Sequence, residues 1–367
     1  MRGRPELYTS YKQDMGLLNT TPKKAFVAVL VVLALALPFS FEDDILLLLA
    51  TSWAAAIGAI GLNLVTGYAG QVSLGHAFFM AIGAYTAAVI SGDPNGRETG
   101  FGITEIPVWL LAAGLVAAVA GALVAPLAVR LRGLYLAIVT LGLVFVGQYV
   151  FREWDQVAGP PDIGRPAPVP TLFGSRLDVD GDFLTRAQSL YFLMLVLLVI
   201  FAVLARNLVR SRTGRAFAAI RDRDIAASVI GVDLTRYKVI AFAASSFYAG
   251  VAGALLYVMP QSFTANNFNL VLSVQFIAMI LIGGAATISG SIMGALFITM
   301  LPRITTELQA VLPFISDDAT GGGITVALAA QILYGLLIIV FLIFEPRGLF
   351  GIWIRIRNYW KAWPFSY

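Results

Sequence analysis

Long apolar segments separated by shorter polar segments follow one another along almost the whole chain. A helix needs about 20 predominantly apolar residues to cross a ~30 Å hydrocarbon core. Lipid offers no hydrogen-bond partner to backbone N–H and C=O groups, so segments that cross it must be helical unless they close into a barrel. The pattern predicts an all-α membrane protein, a polytopic bundle of about ten transmembrane helices with some short or broken.

Six predicted spans precede residue 206 and about four follow residue 238. Region 271–302 is predicted to hold two short or half-helical spans, because Gly283-Gly284 and Ser289-Gly290-Ser291 interrupt it. An even number of spans also keeps the basic C-terminal tail on the same side as the other basic segments. The other predicted bounds are 25–41, 45–66, 71–90, 107–129, 133–151, 188–205, 239–259 and 324–344.

Positive charge concentrates in the tail 1–24, at Arg130 and Arg132, in the loop 206–238 and in the tail 345–367. Loops that stay in the cytoplasm carry the excess of Lys and Arg, so both termini and the loop 206–238 are predicted to be cytoplasmic. The loop 152–187 is then periplasmic, and residues 25–344 form one transmembrane domain.

The two terminal segments also carry sequence signals for contact with the membrane. Lys23-Lys24 and the apolar run after them resemble a signal peptide, but the long polar lead before them favours an uncleaved first span. The tail 345–367 combines cations with aromatic residues, which is typical of an anchor at the membrane interface. These residues are Trp353, Arg355, Arg357, Tyr359, Trp360, Lys361 and Trp363.

Composition supports the membrane class and excludes several others. The chain has 59% hydrophobic and 13% charged residues, whereas soluble domains carry about 25% charge. The formal charge of +4 comes mainly from a few short loops, so a nucleic-acid role is not indicated. With no cysteine, the chain has no disulfide, thiolate nucleophile or cysteine metal site.

The loop 206–238 contains eight Lys or Arg residues and three Asp. Thr213 is a predicted N-cap for a helix Gly214–Arg221, and Asp224 for a helix Ile225–Ile230. Gly231 is placed to end the second helix in the left-handed conformation. The pattern predicts two short amphipathic helices in tandem, and the alternative is a disordered basic loop that only orients the protein.

The sequence contains no recognisable energy source for active transport. No Asp, Glu, Lys or Arg falls inside a predicted span, although ion-coupled carriers commonly use such groups. None of the five lysines follows a glycine, so the chain lacks the P-loop pattern of ATPases. A passive channel or facilitator remains, or a permease moved by a separate motor docked on the loop 206–238.

Glycines cluster with polar residues at two places that could break helices along a translocation path. The first group is Gly67, Gly70, Gln71, Ser73, Gly75 and His76, and the second is Gly283, Gly284, Ser289 and Gly290. Similar positions in the two halves hint at a parallel repeat. The alternative for the glycines is close helix packing, and for the lone His76 a structural hydrogen bond.

The segment Gly61–Phe79, followed by Gly83-Ala84-Tyr85, resembles the signature of LivM-type permease subunits of bacterial branched-chain amino acid ABC importers. Thr213-Gly214-Arg215-Ala216 through Arg221 to Gly231, the Gly283-Gly284 turn and the ending Phe344–Leu349 match the same pattern. The resemblance covers roughly residues 45 to 350.

The resemblance implies a binding-protein-dependent importer in the bacterial inner membrane, with no catalytic residues, cofactor or metal of its own. It implies a second LivH-like permease or another copy of this chain, and a periplasmic amino-acid-binding protein. Two LivG/LivF-like ATPase subunits would use ATP and Mg²⁺. A urea or short-chain amide permease is the alternative, because that family shares the glycine-rich signature.

The resemblance also implies a coupling element on the loop 206–238. Its residues would be Thr213, Gly214, Arg215, Arg221, Asp224, Ala226, Ala227 and Gly231. Ala226, Ala227 and Gly231 fit the A-A-x-x-x-G part of the general ABC permease motif. Ile225 stands where that motif has Glu, with Asp224 one residue earlier.

Overall fold

The computed structural model describes residues 21–131, 133–160, 163–181, 183–309, 315–316 and 324–362. This part of the chain contains thirteen α-helices and six strands of two residues each. The all-α class predicted from the apolar pattern is confirmed. The tail 1–20, residues 310–314 and 317–323 and the end 363–367 lie outside the described residues.

The helices follow the predicted spans closely. In the first half they are α1 (Thr21–Ala36), α2 (Asp43–Asn63), α3 (His76–Ser91), α4 (Ile106–Arg130), α5 (Leu134–Glu153), the short α6 (Asp155–Ala158) and α7 (Arg186–Arg210). In the second half they are α8 (Arg212–Val229), α9 (Leu234–Leu256), α10 (Leu270–Gly283), α11 (Ile288–Gln309), α12 (Val326–Phe344) and α13 (Gly348–Ala362).

Among the described residues, seven helices are long and apolar enough to cross a membrane. Three shorter apolar helices, Val27–Phe39, His76–Ser91 and Gln331–Phe341, accompany them. The division of region 271–302 into α10 and α11 is confirmed, although α11 has 22 residues and is not short. The chain is a multi-pass membrane protein.

Helices α2 and α9 form the centre of the bundle. About two thirds (67%) of their most apolar stretch is buried, against 28% for α5 and α7 at the periphery. Helix α9 packs on α4, α3 and α2, and α2 packs on α7 and α11. Large apolar side chains on the outer surfaces of α1, α4, α5, α7 and α12 are exposed, as expected of helices that face lipid or another membrane subunit.

Small residues allow α3, α4 and α9 to approach closely. A Cβ atom placed on Gly83 of α3 would overlap the backbone of Gly250 in α9, and one on Gly250 would overlap the Ala113 carbonyl of α4. Membrane helices associate by such close packing because lipid gives no hydrophobic drive between them. Close packing is therefore the role of Gly83.

The loop between α7 and α9 is helical, which contradicts the disordered alternative. Ser211, and not the predicted Thr213, caps α8, because its Oγ accepts a hydrogen bond from the Thr213 N–H at 3.1 Å. Arg223 interrupts the helical geometry with φ −157° and ψ 104°, so two segments in tandem are confirmed. Gly231 has φ +89°, the predicted left-handed conformation.

At the opposite end of the bundle, four short strands tie the connecting loops together. Strand β1 (Arg165–Pro166) pairs antiparallel with β4 (Ser262–Phe263), and β2 (Thr171–Leu172) with β3 (Ser175–Arg176). The third pair, β5 (Ile315–Ser316) with β6 (Ile324–Thr325), is parallel.

A buried arginine fastens these loops to α3. Arg165 is only 2% exposed and donates to the carbonyls of Ala88, at 2.9 Å, and Thr99. Burial lowers the pKa of its guanidinium from the usual value, and Glu98 opposes that shift. The bond to Ala88 lies at the carboxyl end of α3, where a positive charge is favourable.

The close packing of α3 on α9 leads to a stability prediction. We expect Gly83→Ala to destabilise the protein by about 1–3 kcal/mol, because the added methyl group has to displace backbone. In α5, a methyl group added to Gly142 would meet no atom within 4 Å, so Gly142→Ala serves as the matched control. Thermal unfolding in detergent measures both, and equal midpoints for the two variants would contradict the packing role.

Candidate translocation and coupling site

Helix α2 ends in a break that we define as residues 64–75, the first break. Leu64–Tyr68 form a single π-helical turn, and residues 70–75 are not helical. The predicted span 71–90 therefore starts too early, since α3 begins at His76. Gly70 has φ +67°, a conformation that glycine adopts at no steric cost. Isolated π turns occur frequently at functional sites.

Hydroxyl groups satisfy the backbone where α3 starts inside the bundle. The Leu74 N–H donates to Thr140 Oγ1 at 2.9 Å, and the Ala77 N–H donates to Ser273 Oγ at 3.0 Å. The Gly75 N–H is 3.4 Å from Ser73 Oγ. Ser73 and Gly75 are thus buried structural parts of the first break, packed beside α5.

The second break, residues 284–287, separates α10 from α11. Gly284 has φ +126°, and Ala286 has φ +58°, which is unusual for a residue with a side chain. Gly283 approaches Gly290 so closely that a Cβ atom on Gly283 would overlap the Gly290 carbonyl. Ser289 is exposed. Of the predicted glycines, Gly284 therefore forms the turn, and Gly283 and Gly290 allow α10 and α11 to pack closely.

Asn63, the last residue of α2 before the first break, hydrogen-bonds to the second break. Its Nδ2 donates to the Thr287 carbonyl at 2.9 Å and to Ser291 Oγ at 2.7 Å. Its Oδ1 accepts from the Ala286 N–H at 2.8 Å. The side chain is 1% exposed, and its Oδ1 meets the Ala286 N–H, which the second break leaves without a helical partner. The two breaks therefore lie side by side.

Asn63 is not among the site residues predicted from the sequence. The available signal was its position, since an amide inside the predicted span 45–66 requires a hydrogen-bond partner in the membrane. The glycine-rich motif instead contains Gly67, which lies against the hydrogen bond between Asn63 and Ala286. A Cβ atom on Gly67 would overlap Asn63 Oδ1 and lie 2.6 Å from the Ala286 nitrogen.

His76 lies in the first turn of α3, 2% exposed and beside the Phe276 ring at a centroid distance of 4.9 Å. It hydrogen-bonds the backbone of Gly58 in α2. Its Nε2 has no hydrogen-bond partner in the described part of the chain. This position favours the structural alternative for His76 over a role in a solvated path.

Helix α8 contacts the first break directly. A Cβ atom on Gly70 would lie 3.2 Å from Arg221 Cα, which is tighter than ordinary van der Waals contact. A cavity of about 620 Å³ opens beside this contact between Gln71 and the charged residues 221–224. The structure thus brings the predicted pore residues Gly70 and Gln71 to the predicted coupling residues Arg221 and Asp224.

Lys238 also lines this cavity, although its side chain is 2% exposed. Its Nζ donates to the Ala128 carbonyl in the last turn of α4 at 3.2 Å. The loop boundary at Lys238 is wrong, because α9 begins at Leu234 and includes this residue. A cation at the carboxyl end of α4 is favourable for the helix dipole.

The remaining predicted coupling residues divide between anchors and an exposed surface. Gly214 packs on the Val209 backbone. Two neighbouring apolar side chains that are not among the predicted residues, Phe217 and Ile220, are buried and anchor the first segment of α8. Thr213 is half-buried and Ala227 buried, whereas Arg215, Ala226 and Gly231 are exposed.

Three apolar side chains extend the exposed surface. Ile225, Val229 and Ile230 are 67%, 81% and 75% exposed at the end of α8. Large apolar side chains clustered on a surface mark an interaction site. The departure from the motif at Ile225 thus falls on this exposed apolar surface.

Comparison with known proteins identifies the family. Residues 45–342 match the family model for branched-chain amino acid transport system / permease component. The chain is 30% identical over 353 residues to the high-affinity branched-chain amino acid transport system permease protein LivM of Escherichia coli (strain K12), a match that covers 90% of this chain and 76% of that protein.

LivM of Salmonella typhimurium matches with the same identity and coverage. The ribose import permease protein RbsC of Haemophilus influenzae is 24% identical over 290 residues, covering 76% of this chain and 83% of that protein. No solved structure matches the chain. The resemblance recognised in the sequence is therefore confirmed, and the chain belongs to the family of branched-chain amino acid transport system permease components.

Proposed function

We propose that this chain is the non-catalytic permease subunit of a binding-protein-dependent ABC importer for branched-chain amino acids. Family membership over residues 45–342 and the LivM relatives support the transport class and the substrate. The contact of Gly70 with Arg221 carries the mechanism, because it joins the surface available to a motor to a helix break inside the bundle.

The orientation follows from the charges. The basic segment α8, Arg130 at the end of α4 and α13 lie at one end of the chain's spans, and positive charge favours the cytoplasmic side. Both termini are then cytoplasmic, and the strand pairs β1–β4 and β2–β3 are periplasmic. The membrane is the bacterial inner membrane.

The partners are a LivH-like permease subunit or a second copy of this chain, two LivG/LivF-like ATPase subunits and a periplasmic amino-acid-binding protein. ATP and Mg²⁺ are used by the ATPase subunits. The exposed apolar residues at the end of α8 fit a cleft of an ATPase, since such a surface is costly to leave in water. The exposed face of α5 or α7 fits a second membrane subunit.

The geometry supports a chain of contacts for coupling. An ATPase that displaces α8 moves Arg221 against the backbone at Gly70, where glycine allows an unusual φ. The π turn 64–68 then moves with Gly70, and Asn63 transmits the displacement to the second break through its three hydrogen bonds. Packed elements that have two discrete arrangements transmit motion in this way.

The two breaks also suit the substrate. The backbone groups and hydroxyls of the breaks are paired within the protein in this arrangement. When the breaks open, they offer polar contacts to the ammonium and carboxylate of an amino acid, and the apolar surroundings accept a branched aliphatic side chain. A urea or short-chain amide substrate would use the polar contacts but not the apolar ones. A passive channel would leave the contact between α8 and the first break without a purpose.

The first prediction from this proposed function concerns the energy source. Co-reconstituted with its partner subunits and binding protein, the chain is expected to import labelled leucine only when ATP and Mg²⁺ are enclosed with the ATPases. Unlabelled isoleucine and valine should compete, and urea should not. Uptake in ATP-depleted vesicles would instead support a channel, and competition by urea alone would support the amide alternative.

The second prediction concerns Gly70. Gly70→Val places a side chain against Arg221 and strains the left-handed backbone by about 1–2 kcal/mol. We expect leucine uptake to fall at least about tenfold, equivalent to about 1.4 kcal/mol, while ATP hydrolysis continues. Gly174→Val is the control, because Gly174 has φ +80° and nothing within 4 Å. Similar losses of uptake in both variants would assign the effect to backbone strain alone.

The third prediction concerns Asn63. Asn63→Leu leaves the Ala286 N–H without its partner, which costs about 1–3 kcal/mol for a buried group. The Thr287 carbonyl loses the bond from Asn63 but keeps those from Ser291. Ser52→Ala is the control, since Ser52 bonds Thr299 across the same α2–α11 pair away from the breaks. Both variants should lower the thermal midpoint, but only Asn63→Leu should lower the leucine imported per ATP hydrolysed. An unchanged ratio would reduce Asn63 to a structural role.

A further inference from the structure

The start of helix α13 packs closely on the second break. Gly348, its first residue, has φ +65°, and a Cβ atom there would lie 2.7 Å from the Gly284 nitrogen. A Cβ atom on Gly284 would lie 2.8 Å from the Arg347 carbonyl. The Glu345-Pro346-Arg347-Gly348 corner therefore packs backbone to backbone on the turn between α10 and α11.

The later turns of α13 expose an apolar stripe. Trp353, Ile356 and Tyr359 recur every third residue, which places them on one side of a helix, and they are 37%, 48% and 57% exposed. Gly348 and Gly351, by contrast, are buried. The first turn of α13 thus packs on the bundle, where Leu349 also lies against the core, and the later turns present large apolar side chains away from it.

Two cations border the apolar stripe. Arg355 and Arg357 precede and follow Ile356 in sequence, so at about 100° per residue they lie on either side of the stripe. Both side chains are exposed, and the Arg355 guanidinium, which forms an ion pair with Glu345 (Nη2 to Oε1, 2.7 Å), is still 74% exposed. A helix with aromatic and aliphatic residues on one side and cations along its borders is typical of the membrane surface.

The position of α13 also favours a lipid surface over a soluble protein. The preceding helix α12 exposes Ile339, Ile343 and Phe344 up to its last residue. Phe344 is 76% exposed, and only the corner 345–347 separates it from α13. The exposed apolar surface of a membrane span therefore continues into the stripe on α13, with cations where the headgroup layer begins.

We propose that α13 lies in the headgroup layer of the membrane and binds anionic phospholipid through Arg355 and Arg357. Trp353, Ile356 and Tyr359 enter the boundary with the acyl chains. Because Gly348 and Gly284 are in backbone contact, the depth of α13 sets the position of the second break. Occupancy by anionic lipid then holds the break in the arrangement that Asn63 requires. This regulatory part rests on the proposed function, whereas the lipid site does not.

The absence of cysteine allows a direct test of the lipid site. The variant Ile356→Cys carries a nitroxide, and its collision with oxygen and with an aqueous nickel chelate is measured in bilayers of phosphatidylcholine alone or mixed with phosphatidylglycerol. We expect phosphatidylglycerol to raise the oxygen-to-nickel ratio at least about threefold. The control Asn358→Cys lies about 200° further around the helix and should change little.

Charge variants test the role of the two arginines. Arg355→Gln/Arg357→Gln in the Ile356→Cys background should abolish the phosphatidylglycerol effect, and Arg355→Lys/Arg357→Lys should retain most of it. Both positions are exposed, and the ion pair that Arg355→Gln removes with Glu345 is a surface pair of small weight, so the fold is expected to tolerate these changes. An oxygen-to-nickel ratio independent of phosphatidylglycerol would overturn the lipid site. Protection of the nitroxide by added ATPase subunits, whatever the lipid, would instead assign the surface to a protein.

The regulatory part has its own readout. In the complete transporter, leucine uptake per ATP hydrolysed should rise with the phosphatidylglycerol content, and Arg355→Gln/Arg357→Gln should remove that dependence. Arg176→Gln, which breaks the exposed pair with Asp178 at the other end of the bundle, is the control. If anionic lipid binds but uptake per ATP does not depend on it, the lipid site stands and the regulatory part is wrong. Failure of leucine transport itself would refute the proposed function without affecting the nitroxide result.

Discussion

Every backbone group that a broken helix releases inside a bilayer must find a partner within the protein, and this constraint determines the arrangement of the bundle. Hydroxyls of Thr140 and Ser273 meet the start of α3, and the amide of Asn63 meets the second break. These partners come from α5, α10 and α2. Breaks that could serve transport therefore also join helices that are distant in sequence.

The same constraint explains why the two breaks are adjacent. Without Asn63 the Ala286 N–H would be unpaired in an apolar surrounding, and the Asn63 amide oxygen removes that cost. Adjacency then makes mechanical coupling available. The first break touches α8 at Gly70 and the second touches α13 at Gly284, so two surface helices meet one central network.

The centre tolerates these irregular turns because its regular part is packed so closely. Helix α9 lies against α3 and α4 through Gly250, and few side chains separate their backbones. Close contact of this kind supplies dispersion attraction where lipid supplies no hydrophobic drive. The closely packed centre and the breaks thus have different chemistries: small residues in the centre, and glycine with hydroxyl and amide groups at the breaks.

The sequence by itself determined the class, the approximate spans and the family, since apolar length, charge placement and glycine-rich motifs are local properties. It also placed two tandem helical segments and a left-handed Gly231 in the loop after α7. It did not give the Ser211 cap, the start of α3 at His76 or the inclusion of Lys238 in α9, because neighbouring residues compete for these boundaries. Only the tertiary structure decided that Asn63 joins the breaks and that Gly70 meets Arg221, because each contact depends on residues far apart in sequence.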